Sequence, residues 1–175
     1  MEEPTGRELW LRAGQDLLRA GGIGAVKLRA LTDRLGLTTG SFYHHFSGMA
    51  DYLDELARFY GAGLSKGSLV HDQEMDPRER LRRLGAISRD AHLRPLDAAM
   101  RDWAGSNELA AEAVRSADEF LLRFIERAFL DLGYTKRESQ TRASLYFAAG
   151  VARFSPPWRI PTKINADVLA VLAPE

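Results

Sequence analysis

The chain has 175 residues, 45% hydrophobic and 27% charged, with 24 basic side chains matching 24 acidic ones. That is material for one large domain or two small ones with a real core, and no apolar run approaches the roughly 20 residues that span a bilayer. The absence of cysteine excludes disulfides, thiol chemistry and thiolate metal sites. The acidic start Met1-Glu2-Glu3-Pro4 lacks the basic and apolar regions of a secretion signal, so a cytoplasmic protein without a membrane partner is expected.

Three segments open with Thr or Asp followed three residues later by Glu, the reciprocal cap that satisfies free backbone donors at a helix start. They are Thr5-Gly6-Arg7-Glu8, Asp76-Pro77-Arg78-Glu79 and Thr135-Lys136-Arg137-Glu138. Apolar residues recur at spacings of three and four, as Trp10, Ala13, Leu17 and Ala20, then Leu28, Leu31 and Leu35, then Phe42 and Phe46. No sustained two-residue alternation competes, so the chain reads as all-α. Gly21-Gly22 closes the first helix, Gly36-Leu37-Thr38 is a tight turn, and Ser47 is expected to cap a fourth helix over about 47–60. A polar, glycine-containing connection follows over 61–76.

Further on, a helix is expected between Pro95 and Gly105, then two longer ones over about 107–132 and 135–154, with a short one near 164–172. The first of the long helices carries two apolar stripes, Ala113, Ala117, Phe120, Leu121, Phe124 and Ala128, and Val114, Leu122, Ile125, Phe129 and Leu132. A helix apolar on two sides needs cover on two sides. In the second, Ala148, Ala149, Gly150 and Ala152 admit close approach of another helix, either within the chain or from a second copy.

From Pro4 to Met49 six basic residues face three acidic ones, a local excess inside a neutral chain. Within this stretch lies KLRALTDRLGLTTGSFYHHF, residues 27–46. It reads as a helix, a turn on Gly36, and a short second helix capped by Thr38, with Leu31, Leu35, Leu37 and Phe42 facing inward. Thr38, Thr39, Gly40, Ser41, Tyr43, His44 and His45 then cover the outer side. Short polar side chains, a glycine and aromatic donors suit a helix pressed into a major groove.

At these residues the chain resembles the TetR family of bacterial transcription regulators. The likeness lies in Leu31-x3-Leu35-Gly36-Leu37-x2-Gly40-Ser41-Phe42-Tyr43-x-His45-Phe46, preceded by Ala13, Leu17 and Gly22. It implies a three-helix helix-turn-helix domain at residues 1–48 and a helical ligand-binding and dimerisation domain at 49–175. It implies a homodimeric repressor of double-stranded operator DNA, released by a small molecule. Thr38, Thr39 and Gly40 would meet bases, Tyr43 and His45 would hold phosphates, and Arg29 would contact either. Relatives commonly carry a Thr or Ser cap where this chain has Val26-Lys27, and a phosphate-binding lysine where it has Met49. Lys27 offsets that lost charge in part, and weaker DNA affinity than is usual in the family is expected.

The aromatic-rich middle is where a ligand is expected, because such cavities are mostly apolar with a few polar anchors. The candidates are Met100, Trp103, Phe120, Phe124 and Phe147, with His92, Arg101 and Tyr146 as anchors. His44-His45 lacks acidic or cysteine partners at ligand spacing, so no metal is expected there and no cofactor elsewhere. Two alternatives compete with a small-molecule regulator. One is a small helical metal-dependent phosphohydrolase using His71-Asp72, for which Asp90 and His92 are loose partners. The other is a DNA-binding module whose effector is a protein.

Overall fold

The structure is a computed structural model and describes residues 6–66, 75–87, 93–151 and 164–174. Those residues are all-α: α1 (Gly6–Gly21), a 3-10 turn (Ile23–Ala25), α2 (Leu28–Leu35), α3 (Thr39–His45), α4 (Met49–Lys66), α5 (Pro77–Ile87), α6 (Leu93–Ala104), α7 (Glu108–Asp131), α8 (Lys136–Val151) and α9 (Ile164–Leu172). No helix among them is long and apolar enough to cross a membrane.

Local chemistry sets most of the boundaries. Asp76 Oδ1 accepts from the backbone N–H of Arg78 and of Glu79 at 3.0 and 3.1 Å, opening α5. The full reciprocal cap forms at α8, where Thr135 Oγ1 accepts from the Glu138 N–H and Glu138 Oε2 accepts from the Thr135 N–H and hydroxyl. Those bonds hold the Glu138 carboxyl below its ordinary range, the side-chain bond from Thr135 contributing most. Gly133, at φ 92°, supplies the left-handed residue that ends α7.

Two expectations about the fourth helix are corrected. It begins at Met49 and runs through Gly61 and Gly63 to Lys66. Ser47 is not its acceptor cap: its N–H and hydroxyl both donate to Asp51 Oδ2, at 2.8 and 3.2 Å, and the helix starts after Gly48. The intrinsic cost of a helical glycine, about 1 kcal/mol, is small beside the continuity of a helix already anchored by Tyr52, Leu56, Ala57 and Tyr60, all buried.

The chain packs as two compact units, residues 1–64 with 91–117, and 65–90 with 118–175; the boundary falls inside α7. In the first, Trp10, Leu18, Leu31, Phe42, Phe46, Tyr52 and Leu56 form a core that takes in Leu96, Met100 and Trp103 of α6, which packs on α1. The stripe on α1 is turned from the expected one, with Leu18 fully buried, Leu17 only half-buried and Ala20 exposed. In the second, Leu81, Leu84, Phe124, Ile125, Phe129, Tyr146 and Leu169 form a separate core. Arg80 is buried at its edge and ion-paired with Asp131, which also holds Arg127 at 3.0 Å. Both stripes of α7 are covered in part: Ala113, Ala117, Phe124 and Ala128 are buried, and so are Val114, Ile125 and Phe129, while Phe120, Leu121, Leu122 and Leu132 are half-buried.

Candidate nucleic-acid interface

The turn between α2 and α3 is made by backbone chemistry. Gly36 adopts φ 64°, its N–H reaching the Thr32 carbonyl, and the Leu37 N–H donates to the same oxygen at 3.2 Å. Thr38 then caps α3, its Oγ1 accepting from the Ser41 N–H at 3.2 Å. Leu37, expected inward, is 39% exposed; it follows the left-handed residue and so belongs to neither helix's inner face.

Only the inner side of α3 is fixed, and it is fixed firmly. The Phe42 ring meets Trp10 edge-on at 5.4 Å and lies 5.5 Å from Tyr52, whose ring meets Phe46 at 5.0 Å and 90°. Tyr52 also donates its hydroxyl to the Trp10 carbonyl at 2.8 Å, tying α4 to α1. Burial pushes that phenol well above its usual range, so it remains a donor. The Arg7 guanidinium sits 5.0 Å over the Phe46 ring and 3.3 Å from Glu55. Packing of this density holds α3 in one orientation.

The outer side is unencumbered. Thr38, Thr39, Gly40 and His44 are exposed, Tyr43 is 57% exposed, and Ser41 and His45 are half-buried. Helical spacing places Thr39 beside Tyr43 and Gly40 beside His44. His45 rests against the start of α1, where a Cβ on Gly6 would lie 3.0 Å from His45 Nε2. Lys27 and Arg29 are exposed at the start of α2, and Arg29 lies 3.7 Å from Asp33 with its side chain 93% exposed. So loose a pair contributes little and yields readily to a phosphate.

The net excess is unchanged by folding, but most of the basic side chains behind it are engaged by carboxylates of the fold. Glu8 holds Arg12 at 2.6 Å, and Asp16 holds Arg19 at 2.5 Å and Arg34 at 2.6 Å. Burial pushes the Asp16 carboxyl up, but the bonds from Arg34 and Arg19 outweigh it and hold it below its ordinary value. A count of charges along the chain does not say which side chains are so engaged, since the pairings join residues up to 18 positions apart. What the outer side of α3 and the start of α2 leave exposed is therefore mostly neutral polar side chains, with Lys27 and Arg29 as cations.

The candidate ligand residues do not share one core. Met100 and Trp103 are buried in the first unit, while Phe124 and Tyr146 are buried in the second with Phe120 and Phe147 packed against them. Arg101 Nε bonds Asp97 Oδ2 at 2.9 Å, and Asp97 Oδ1 accepts from the Tyr60 hydroxyl at 2.8 Å. Tyr146 donates to the Leu81 carbonyl at 2.7 Å. His92 lies outside the described residues, as do His71, Asp72 and Asp90. Among the described residues no three His, Cys, Asp or Glu side chains come together as a metal site.

A helix capped by Thr38, set across a glycine turn and exposing one polar row, defines a helix-turn-helix DNA-binding protein. Residues 11–56 match the family model of bacterial regulatory proteins of the tetR family. That segment is similar to the family's helix-turn-helix region and supports a DNA-binding transcription regulator. A solved transcriptional regulator from Rhodococcus sp. Rha1 is similar at 21% identity, with a TM-score of 0.72 over 96% of this chain and 94% of that one. That likeness carries the all-helical fold. No curated protein matches.

If Tyr43 and His45 position phosphates, Tyr43→Phe or His45→Ala should weaken binding about tenfold on every duplex and leave specificity ratios unchanged. Anisotropy titrations on an operator and its single-base variants check this. A loss confined to one base change would make these side chains base readers.

Proposed function

We propose that the protein is a repressor that binds double-stranded operator DNA as a homodimer and is released by a small molecule. The observation that carries the DNA half of this reading is the exposed row of α3, set on a rigid aromatic core. In it Thr38, Thr39 and Gly40 meet the bases, Ser41 and His44 border them, Tyr43 and His45 hold phosphates, and Lys27 and Arg29 add charge. Residues 1–48 serve as the reading head and 49–175 as the sensing and dimerising part.

Dimerisation is assigned to the outer side of α8. Ala143 and Tyr146 are buried beneath it, while Ala148 is exposed, Ala149 half-buried and Leu145 54% exposed; Ala152 lies outside the described residues. Ala149→Arg should place a charge in a close helix contact and give monomers with much weaker operator affinity, since half-sites held singly are held weakly. Sedimentation checks this, and an intact dimer would move the interface elsewhere.

For sensing, Met100, Arg101 and Trp103 belong to α6, which packs on α1 and is tied to α4 through Tyr60 and Asp97. A ligand that displaces α6 therefore bears on both helices that hold α3. Phe120, Phe124, Tyr146 and Phe147 are proposed to respond within the second unit. A ligand shifts DNA binding only by its differential affinity for the two conformations. The experiment is a DNA shift with the promoter beside the protein's own gene, followed by release with compounds found by thermal shift. Trp103→Ala and Phe120→Ala should keep operator binding yet need more inducer for release; release at the wild-type concentration in both would remove these residues from sensing.

A further inference from the structure

We propose that α3 reads thymine in the major groove through its 5-methyl group, with Thr39 as the side chain that meets it. The proposal rests on the DNA-reading role of α3 and says which feature of a base that helix recognises.

The side chains that read the other bases most strongly do not occur on this helix. Guanine is read by a bidentate Arg or Lys, adenine by Asn or Gln, and cytosine by an acid. None of these residue types stands among residues 38–45. The exposed cations nearby, Lys27 and Arg29, belong to the start of α2. Ser41 and His44 offer single hydrogen bonds, which discriminate less between bases. Thr38 uses its oxygen in the cap, accepting from the Ser41 N–H at 3.2 Å. Thr39 follows it, exposed, with Gly40 beside it, where a Cβ would meet nothing closer than Thr38 Oγ1 at 3.7 Å. No side chain at position 40 therefore holds a base edge away from Thr39. The surroundings are apolar: Leu37, in the turn, is 39% exposed, and Tyr43, one helical turn on from Thr39, is 57% exposed. Thymine is the one base that carries an apolar group in the major groove, and a methyl group gains by leaving water for such a surface.

The test begins with duplexes that the full-length protein selects from a random pool. A motif containing thymine should emerge. Deoxyuridine in place of that thymine removes only the methyl group, and should weaken binding about fourfold per half-site in anisotropy titrations, as expected for one covered methyl group. Thr39→Val keeps a methyl and should keep this penalty. Thr39→Ser keeps the hydroxyl, loses the methyl and should abolish it. Both changes fall at an exposed position, and thermal melts check that the variants fold. If no motif binds better than a scrambled duplex, the DNA-reading role falls and this inference with it. If a motif emerges but no deoxyuridine replacement in it weakens binding, the DNA-reading role stands and the methyl contact alone is overturned. The same holds if Thr39→Ser shows the full penalty, because the methyl group would then act through the shape of the duplex.

Discussion

Gly14→Ala should be the most damaging small substitution in the DNA-reading half of the protein. A Cβ at that position would lie 2.0 Å from the Tyr52 hydroxyl and 3.1 Å from Leu56 Cδ1. Neither neighbour yields easily, since Tyr52 and Leu56 are fully buried and the hydroxyl is bonded to the Trp10 carbonyl. Overpacking a dense core costs about 1–3 kcal/mol, and the displaced hydrogen bond adds about 1 kcal/mol, against a helix-propensity gain below about 1 kcal/mol. The net loss is about 1–3 kcal/mol, or roughly 2–12 °C in Tm. Removing the clashing atom should recover part of it, so Gly14→Ala should cost less in a Tyr52→Phe background than in the wild type. Thermal melts of the four proteins check this, and equal cost in both backgrounds would show that the hydroxyl is not what the glycine accommodates.

Gly40 is expected to behave in the opposite way. A Cβ there would meet nothing closer than Thr38 Oγ1 at 3.7 Å, and the residue is helical and exposed. The fold gives no reason for a glycine. Gly40→Leu should leave Tm unchanged or raise it, since glycine in a helix costs about 1 kcal/mol relative to a good helix former. On the DNA the same side chain would stand between α3 and the groove floor and lower operator affinity of order 100-fold. Melting and anisotropy on one preparation separate the two effects. A variant that melts normally and binds normally would remove Gly40 from the interface.

The sequence is most informative where a few adjacent residues determine the outcome. The reciprocal cap at Thr135, the glycine turn at Gly36 and the Thr38 cap of α3 are all decided by neighbours within five residues and are present as expected, while at Asp76 the Asp half of the cap forms and Glu79 instead pairs with Arg82. Leu37 escapes a period-based reading because such a reading continues across a turn where the chain has changed direction. The end of α4 lies beyond its expected place because glycine propensity is a local preference that buried neighbours override. The Tyr52 and Gly14 contact, the capture of Arg34 by Asp16 and the burial of Arg80 depend on residues far apart in the chain, for which periodicity carries no signal. The aromatic residues expected to form a ligand site are largely buried, yet apolar character alone does not say which core a residue joins; Trp103 joins one and Phe124 the other.

The central claim is that the exposed row of α3 reads DNA sequence. Selection of bound duplexes from a random pool, followed by anisotropy of the enriched duplex and a scrambled one over a salt series, tests it most directly. One motif should be enriched and bound at least about 1000-fold more tightly than the scramble. The dependence of affinity on salt should be shallow, because most arginines of residues 6–49 are already paired with carboxylates. Equal affinity for the two duplexes, with a steep salt dependence, would contradict it and leave only charge-driven binding.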